Sequence, residues 1–426
     1  MPASPSTARA INDRLALRLL QQDGPLTAGQ LKQLTGLSRP TVADLVERLT
    51  DAGLIAVVGE AGEQRRGPNA KLYGIVADRA HLAALDVRTE GVSVVVSDLV
   101  GAVLAEASVP IGGDMGTGPA VEQAVALVER VAKEAGADRL HTVGIGAPGL
   151  IDPATGELRD STGLPEWHRR LVAALQERLP EARVNVENET NLAALAEQRD
   201  GVARDRDTFV LLWLGHGTGA AVVLDGALRR GASGGTGEIG FLPVPGTSGP
   251  PSAVDCEGGF HSLAGSAAIV ELAGAHGVSV EGASVREPAA AGVVREAVTL
   301  VGGSVRAEGA GASPAAVRAR HPAGAAPDQA TDTPAGHFLD ALADRLALGV
   351  ASVVAILDPG CVVLGGEVGT AGGEQLAGRV EERVRRMSPL ATVVRPSGLG
   401  GGAVLRGALL TAREAAQDDL FAPPAR

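Results

Sequence analysis

The chain has 426 residues, 45% of them apolar and 2% aromatic, and a formal net charge of −12. That length exceeds one ordinary core and suits two or three domains, while the apolar content excludes a disordered chain. No run of about 18 apolar residues occurs, the longest candidate being the stretch between Arg345 and Asp358, so a helical membrane span is not expected.

The N-terminal MPASPSTARA lacks an apolar signal core, and Cys256 and Cys361 offer neither a disulfide framework nor metal-ligand spacing. Both features point to a reducing cytoplasm and to no membrane partner. The charge is unevenly spread. Residues 1–77 hold nine Lys/Arg against seven Asp/Glu, a balance of +2, so the remainder carries −14 of the total −12. A slightly basic head on an acidic body is the asymmetry expected if the head alone meets phosphate.

In chain order, Ile11, Leu15, Leu19 and Leu20 recur at helical spacing until Gly24-Pro25 stops the helix. Thr27 with Gln30 forms a capping box, Leu31 and Leu34 are expected to face inward, and Gly36 supplies a left-handed end. Ser38 caps the next helix, whose stripe of Val42, Leu45, Val46 and Leu49 leaves Arg39, Thr41, Asp44 and Arg48 facing outward. Two short helices around a glycine turn form a helix-turn-helix. A strand at 54–58, a polar tip and a return strand at 70–75 complete a wing, with Arg65 and Arg66 at its tip.

The candidate DNA-binding residues are therefore Ser38, Arg39, Thr41, Arg48, Arg65, Arg66 and Lys71, with double-stranded DNA as partner. The competing reading is a helical protein-docking module with solvated charges. Asp44 and Glu47 fit either a cytosine amino group or plain solvent.

From His81 the pattern changes. HLAALDVRTE, GVSVVVSDLVG and AVLAEASVPI predict three consecutive strands, followed by a helix at 120–135, a strand at 140–146, a helix at 169–179, a strand at 183–187 and a helix at 189–198. A second lobe opens with strands at 208–215 and 219–226. It closes with a helix at 338–357, a strand at 361–364, a Gly365-Gly366 turn and a helix at 373–387. The expected domains are a winged helix-turn-helix at 1–77, a first α/β lobe at 78–200 and a second at 201–426. An Ala/Gly-rich insert around 275–333 is expected on the surface.

These stretches resemble the ROK family of repressors, uncharacterised reading frames and sugar kinases. The likeness is carried by LDVRTEGVSVVVSDLVG, GIGAPGLID, VENETNLAALAE, LGHGTGAAVVLDG, GGTGEIGFLPVP and VVLGGEVG, in that order. It implies an α/β, bilobal actin-like ATPase (ribonuclease H-like) fold. It also implies a homodimer or higher homo-oligomer and, with the N-terminal winged helix, a transcriptional repressor sensing a sugar or sugar phosphate.

The motifs depart from the kinase pattern in ways that bear on activity. The family's Asp-x-Gly-Gly-Thr phosphate turn is here Asp86 to Glu90, with Arg88, Thr89 and Glu90 in place of small residues. The catalytic aspartate of Glu-Asn-Asp-Ala-Asn is Glu189, one methylene longer, and misplacement of about 1 Å can cost roughly 100-fold in rate. No catalytic residue is therefore expected, and ATP binding is not expected. Phe241 replaces the zinc-ligand histidine and Cys256 stands without thiolate partners, so no metal and no zinc are expected.

By resemblance, Asn188, Glu189 and Glu238 bind sugar hydroxyls, with Gly163 where an asparagine is usual. The alternative for Glu238 is a capping carboxylate. His261 is either a further ligand-binding residue or a structural hydrogen-bonder. An ATP-dependent sugar kinase with an accessory head remains the alternative function, resting on Asp86, Glu189 and the glycine turns.

Overall fold

The computed structural model describes residues 5–61, 70–159, 165–254, 257–279, 287–309 and 332–421. The head contains α1 (Pro5–Gln22), β1 (Leu26–Thr27), α2 (Ala28–Thr35), α3 (Arg39–Asp51), β2 (Ile55–Ala61) and β3 (Ala70–Ile75). The capping box forms as its sequence demands, with the Thr27 hydroxyl accepting from the Gln30 amide at 3.2 Å while Gln30 Oε1 accepts from the Thr27 amide at 2.9 Å. Gly36 ends α2 at φ 69°, and Ser38 caps α3. The three strands pair in the order β1-β3-β2, so the expected wing is present. Its tip, with Arg65 and Arg66, lies outside the described residues.

Two expectations in the head are corrected. Leu34 is exposed, and so are Ile11 and Leu15. The inner face of α1 is instead Ala16, Leu17 and Leu20, because this helix packs on the head with one side and on the C-terminal end of the chain with another.

The first lobe contains β4 (His81–Arg88), β5 (Gly91–Asp98), β6 (Val103–Pro110), α4 (Thr117–Glu134), β7 (Thr142–Ala147), α5 (Glu166–Arg178), β8 (Arg183–Asn188) and α6 (Glu189–Arg199). The second contains β9 (Phe209–Leu214), β10 (Thr218–Leu224), β11 (Ala227–Arg229), α7 (His261–Ala264), α8 (Ser266–Ala275), α9 (Ala289–Gly309), α10 (Pro334–Leu357), β12 (Cys361–Gly365), α11 (Gly366–Met387) and β13 (Val393–Pro396). The sheets run β6-β5-β4-β7-β8 and β11-β10-β9-β12-β13. Each is an antiparallel three-strand meander extended by two parallel strands, the same topology used twice. This is the bilobal actin-like architecture. The turns leaving β4 and β9 face one cleft between the lobes.

Two features differ from the sequence reading. Helix α11 begins directly at Gly366, with Gly373 (φ 50°, ψ −151°) as a kink inside it and not as its start. The insert is not a surface appendage, since Ala290, Ala291, Val294 and Ala297 of α9 join the second lobe's core. Residues 310–331 lie outside the described residues.

The last helix, α12 (Ala403–Leu420), escapes the sequence reading and does not belong to the second lobe alone. It lies on β4, β7 and α6 of the first lobe. Glycines allow that approach. A Cβ on Gly144 would collide with the Ala408 carbonyl, and one on Gly407 with the Leu192 carbonyl. At its far end Gln417 donates to the Leu99 carbonyl at 3.2 Å, and Asp418 meets Arg14 of α1 at 3.3 Å. One apolar cluster consequently runs from Leu17, Leu31 and Leu45 in the head through Leu99, Ala416 and Phe421 to Leu211 and Val363 in the second lobe.

Candidate functional site

Two adjoining cavities occupy the cleft. The larger, of about 520 Å³, is lined by Asn188, Glu189, Glu238 and His261, so the structure brings all four predicted ligand-binding residues together. The smaller, of about 240 Å³, is lined by Asp86, Arg88, Glu90, His216 and Glu367, and shares Glu189 as a wall.

Chain geometry places these side chains. Strand β8 runs straight into α6, so Asn188 becomes the N-cap and Glu189 the first helical residue. The Asn188 carbonyl oxygen accepts from the Thr190 and Asn191 amides at 2.9 and 3.2 Å, while its amide donates to the Gly149 carbonyl and to Glu189, both at 3.0 Å. Its polar atoms are thus engaged in shaping the site. Burial, together with the Asp86 and Glu238 charges, pushes Glu189 up to about 8 against the pull of its own backbone amide. At neutral pH this carboxyl is mostly protonated. It can donate a hydrogen bond to a hydroxyl, whereas a phosphoryl-transfer base must accept a proton.

Glu238 makes no side-chain capping bond, which removes the capping alternative. Its carboxylate opens to the cleft, and the surrounding protein raises its pKa. His261 starts the short α7, and burial lowers its pKa. Phe241, in the position where a zinc ligand would be wanted, lines the same cavity. Among the described residues no three His, Cys, Asp or Glu side chains are grouped to hold a metal ion. Gly163 and Cys256 lie outside the described residues.

The turn leaving β4 is occupied by a side chain of its own. Arg88 folds back over the turn, its Nε donating to Asp86 Oδ2 at 2.9 Å. Its other nitrogens reach Glu367, in the first turn of α11, and the Gly401 carbonyl, at 3.3 Å in the second case. One guanidinium therefore ties the first lobe, the second lobe and the approach to α12. Asp86 is buried, its Oδ1 has no partner among the described residues, and burial raises its pKa against the opposing Arg88 charge.

Next to this, Glu90 bonds His216 of the β9–β10 turn at 2.7 Å, a second link between lobes. That contact lowers the Glu90 pKa and raises that of His216. Glu367 and His216 were missed in the sequence because each sits in a glycine turn that reads equally well as strand-to-helix packing. Behind the turn, His168 is buried and packs edge-on against Trp167 at 4.3 Å. Burial pushes its pKa down to about 4.

On the head, Arg39 is exposed at the first position of α3 and Lys71 is exposed on β3, and both are available to a partner. The Ser38 and Thr41 hydroxyls bond each other at 2.7 Å, which makes them helix-capping groups first. Arg48 is corrected. It does not project freely but is held by Asp13 of α1 at 2.6 Å and by Asp44. Asp44 correspondingly serves that pair.

A winged-helix head joined to a bilobal actin-like body defines a composite class of protein. The family model for ROK proteins matches residues 83–415, and the chain belongs to the ROK family. The model described as winged helix-turn-helix DNA-binding matches residues 9–56. The chain is 25% identical over 240 residues to the xylose repressor of Caldicellulosiruptor bescii, covering 55% of this chain and 59% of that one. It is 30% identical over 258 residues to the glucokinase of Thermotoga maritima, covering 61% and 73%. The chain thus spans less than two thirds of the xylose repressor. The crystal structure of a ROK family transcriptional regulator, a homolog of the E. coli MLC protein, superposes with a TM-score of 0.70 at 22% identity over 97% of this chain and 98% of that one.

Proposed function

We propose that the protein is a sequence-specific DNA-binding transcriptional regulator, a repressor of sugar or carbon metabolism genes, whose body senses a sugar or sugar phosphate without phosphorylating it. The observation that carries this reading is Arg88, lodged where a nucleotide phosphate would be cradled and held there by Asp86 and Glu367. A positive plug paired with its own carboxylates takes the place a nucleotide phosphate would need, and Glu189, mostly protonated at neutral pH, is suited to donating a hydrogen bond to a sugar hydroxyl. No zinc or other cofactor enters this reading.

The sugar occupies the 520 Å³ cavity against Glu189, Glu238 and His261. Helix α12 begins beside Gly401, which Arg88 holds, and ends on α1 of the head. Ligand-driven movement of the lobes therefore reaches the DNA-reading helices through one rigid element. A coupling of about 1–3 kcal/mol is typical of such switches. A cytoplasmic homodimer would set two heads on half-sites about one helical turn, or a multiple of it, apart.

The kinase alternative draws on the 30% identity to a glucokinase, on Asp86 and on the carboxylate that Glu189 keeps in place of the family's aspartate. One experiment addresses both. Genomic fragments selected on the purified protein should yield a shared operator that is released by a pentose, hexose or amino sugar, while ADP release with the same sugars stays at background. Sugar-dependent ADP release at enzymatic rates, or no preferred fragment at moderate salt, would overturn the proposal.

A further inference from the structure

The junction between head and body contains a further cavity, of about 260 Å³, remote from the sugar cleft. Its charged lining comes from three elements. Arg14 and Arg18 project from α1, Arg199 ends α6, and Arg413, Glu414 and Asp418 belong to α12. Four guanidinium groups thus face two carboxylates.

The pairing leaves positive charge unmatched. Asp418 takes Arg14 at 3.3 Å, and Glu414 is 3.8 Å from Arg199, too far for a hydrogen bond. Arg18 has no partner among the described residues. Arg413 spends one nitrogen on the Val100 carbonyl at 3.0 Å, and burial together with Arg406 and Arg199 lowers its pKa. Massing guanidinium groups in a half-buried cavity is costly unless an anion offsets their repulsion. The planar forks present paired N–H donors that match the oxygens of a phosphate group, and the cavity is large enough for a phosphate or a small phosphorylated molecule.

We propose that this cavity binds a phosphate group, free or carried by a small metabolite, between Arg18 of the head and Arg199 and Arg413 of the body. A concave pocket of this size between three helices of the same chain holds a small ligand and is too small to admit a duplex. Occupied, the site would join head to body by contacts that the protein alone lacks. The inference does not depend on the proposed DNA-binding role.

The test is calorimetric titration of the full chain with inorganic phosphate and with glucose 6-phosphate, repeated on Arg18→Ala/Arg199→Ala. Binding of inorganic phosphate with at least equal strength identifies the free ion as the ligand, and tighter binding of the ester identifies an organic phosphate only where the double variant loses that extra affinity and Glu238→Gln keeps it, since ester bound in the sugar cleft would behave the other way round. Either affinity should fall about tenfold per arginine removed. The charge-reversed Arg18→Glu, at an exposed position, should abolish binding while circular dichroism stays unchanged. Glu238→Gln, in the distant cleft, should leave inorganic phosphate affinity as it was. Absence of binding at millimolar concentration, or equal affinity in the double variant, overturns the site. So does a double variant that keeps phosphate affinity and loses affinity for random duplex, since the arginines would then be nucleic-acid contacts.

Discussion

Replacing Arg88 with Ala removes the one cation shared by Asp86 and Glu367. Asp86 is only 5% exposed and its Oδ1 already lacks a partner among the described residues, and the Glu367 side chain is 15% exposed. Deleting one partner of a buried ion pair costs about 3–5 kcal/mol. The Arg88 side chain is 29% exposed, so the lower figure of about 3 kcal/mol applies near pH 8. The loss must depend on pH. Without Arg88 the buried Asp86 carboxyl titrates further above its ordinary value of 3.8, and such a group stabilises the fold below the unfolded pKa and loses that contribution as pH rises through the folded one. The deficit should therefore be smallest near pH 3.8 and grow as pH rises towards 8. In the Arg88→Ala background, Asp86→Asn should recover at least half of it near pH 8, because the amide carries no charge to bury. Denaturant unfolding at the two pH values, completed as a double-mutant cycle, reads each quantity. A deficit that is the same at both pH values, or that Asp86→Asn does not relieve, would refute the interlobe clamp.

Three further outcomes are expected. Arg39→Ala should weaken the preferred operator by about 1–3 kcal/mol, whereas Arg66→Ala should weaken all duplexes alike and flatten the salt slope; equal effects in gel-shift titrations would reverse these roles. His168, held near 4 against an ordinary 6.5, stays neutral when folded and charges when unfolded. It contributes stability above pH 6.5 that is lost as pH falls towards 4, about 3 kcal/mol in all, and His168→Leu should remove that part of the acid sensitivity in thermal unfolding between those limits. Gly407→Ala should cost about 1–3 kcal/mol and loosen α12, since its Cβ would press on the Leu192 carbonyl; protection of the α12 amides in hydrogen exchange should fall with it.

Local signals governed what was legible in the sequence. Thr27-Gln30, Gly36 and Ser38 specify their caps through bonds spanning three or four residues, and the head formed as read from them. The three consecutive strands read from His81 onward formed the first lobe's meander, whereas the short β11 and β13 of the second lobe were not read. The cluster of Asn188, Glu189, Glu238 and His261 was also anticipated, by resemblance and not by spacing, since these residues lie far apart along the chain. Orientation was read less well. Arg48 has the outward position its helical register gives it, yet Asp13 of another helix decides what it touches.

What the sequence determined by itself is the inventory: a capped helix-turn-helix with a wing, two lobes, and a phosphate turn burdened with Arg88 and Glu90. What the tertiary structure alone decided is the connection between them. Helix α12 carries a stripe of small residues without a side-chain cap, so its own sequence marks it weakly, and its position depends on Gly144 across the sheet and Leu192 on α6. Arg88 finds Glu367, and Glu90 finds His216, only when two lobes separated by more than a hundred residues close on one cleft. Caps and turns are set by neighbours in the chain, whereas ion pairs and close helix contacts form between segments that folding brings together, and no local pattern records the partner.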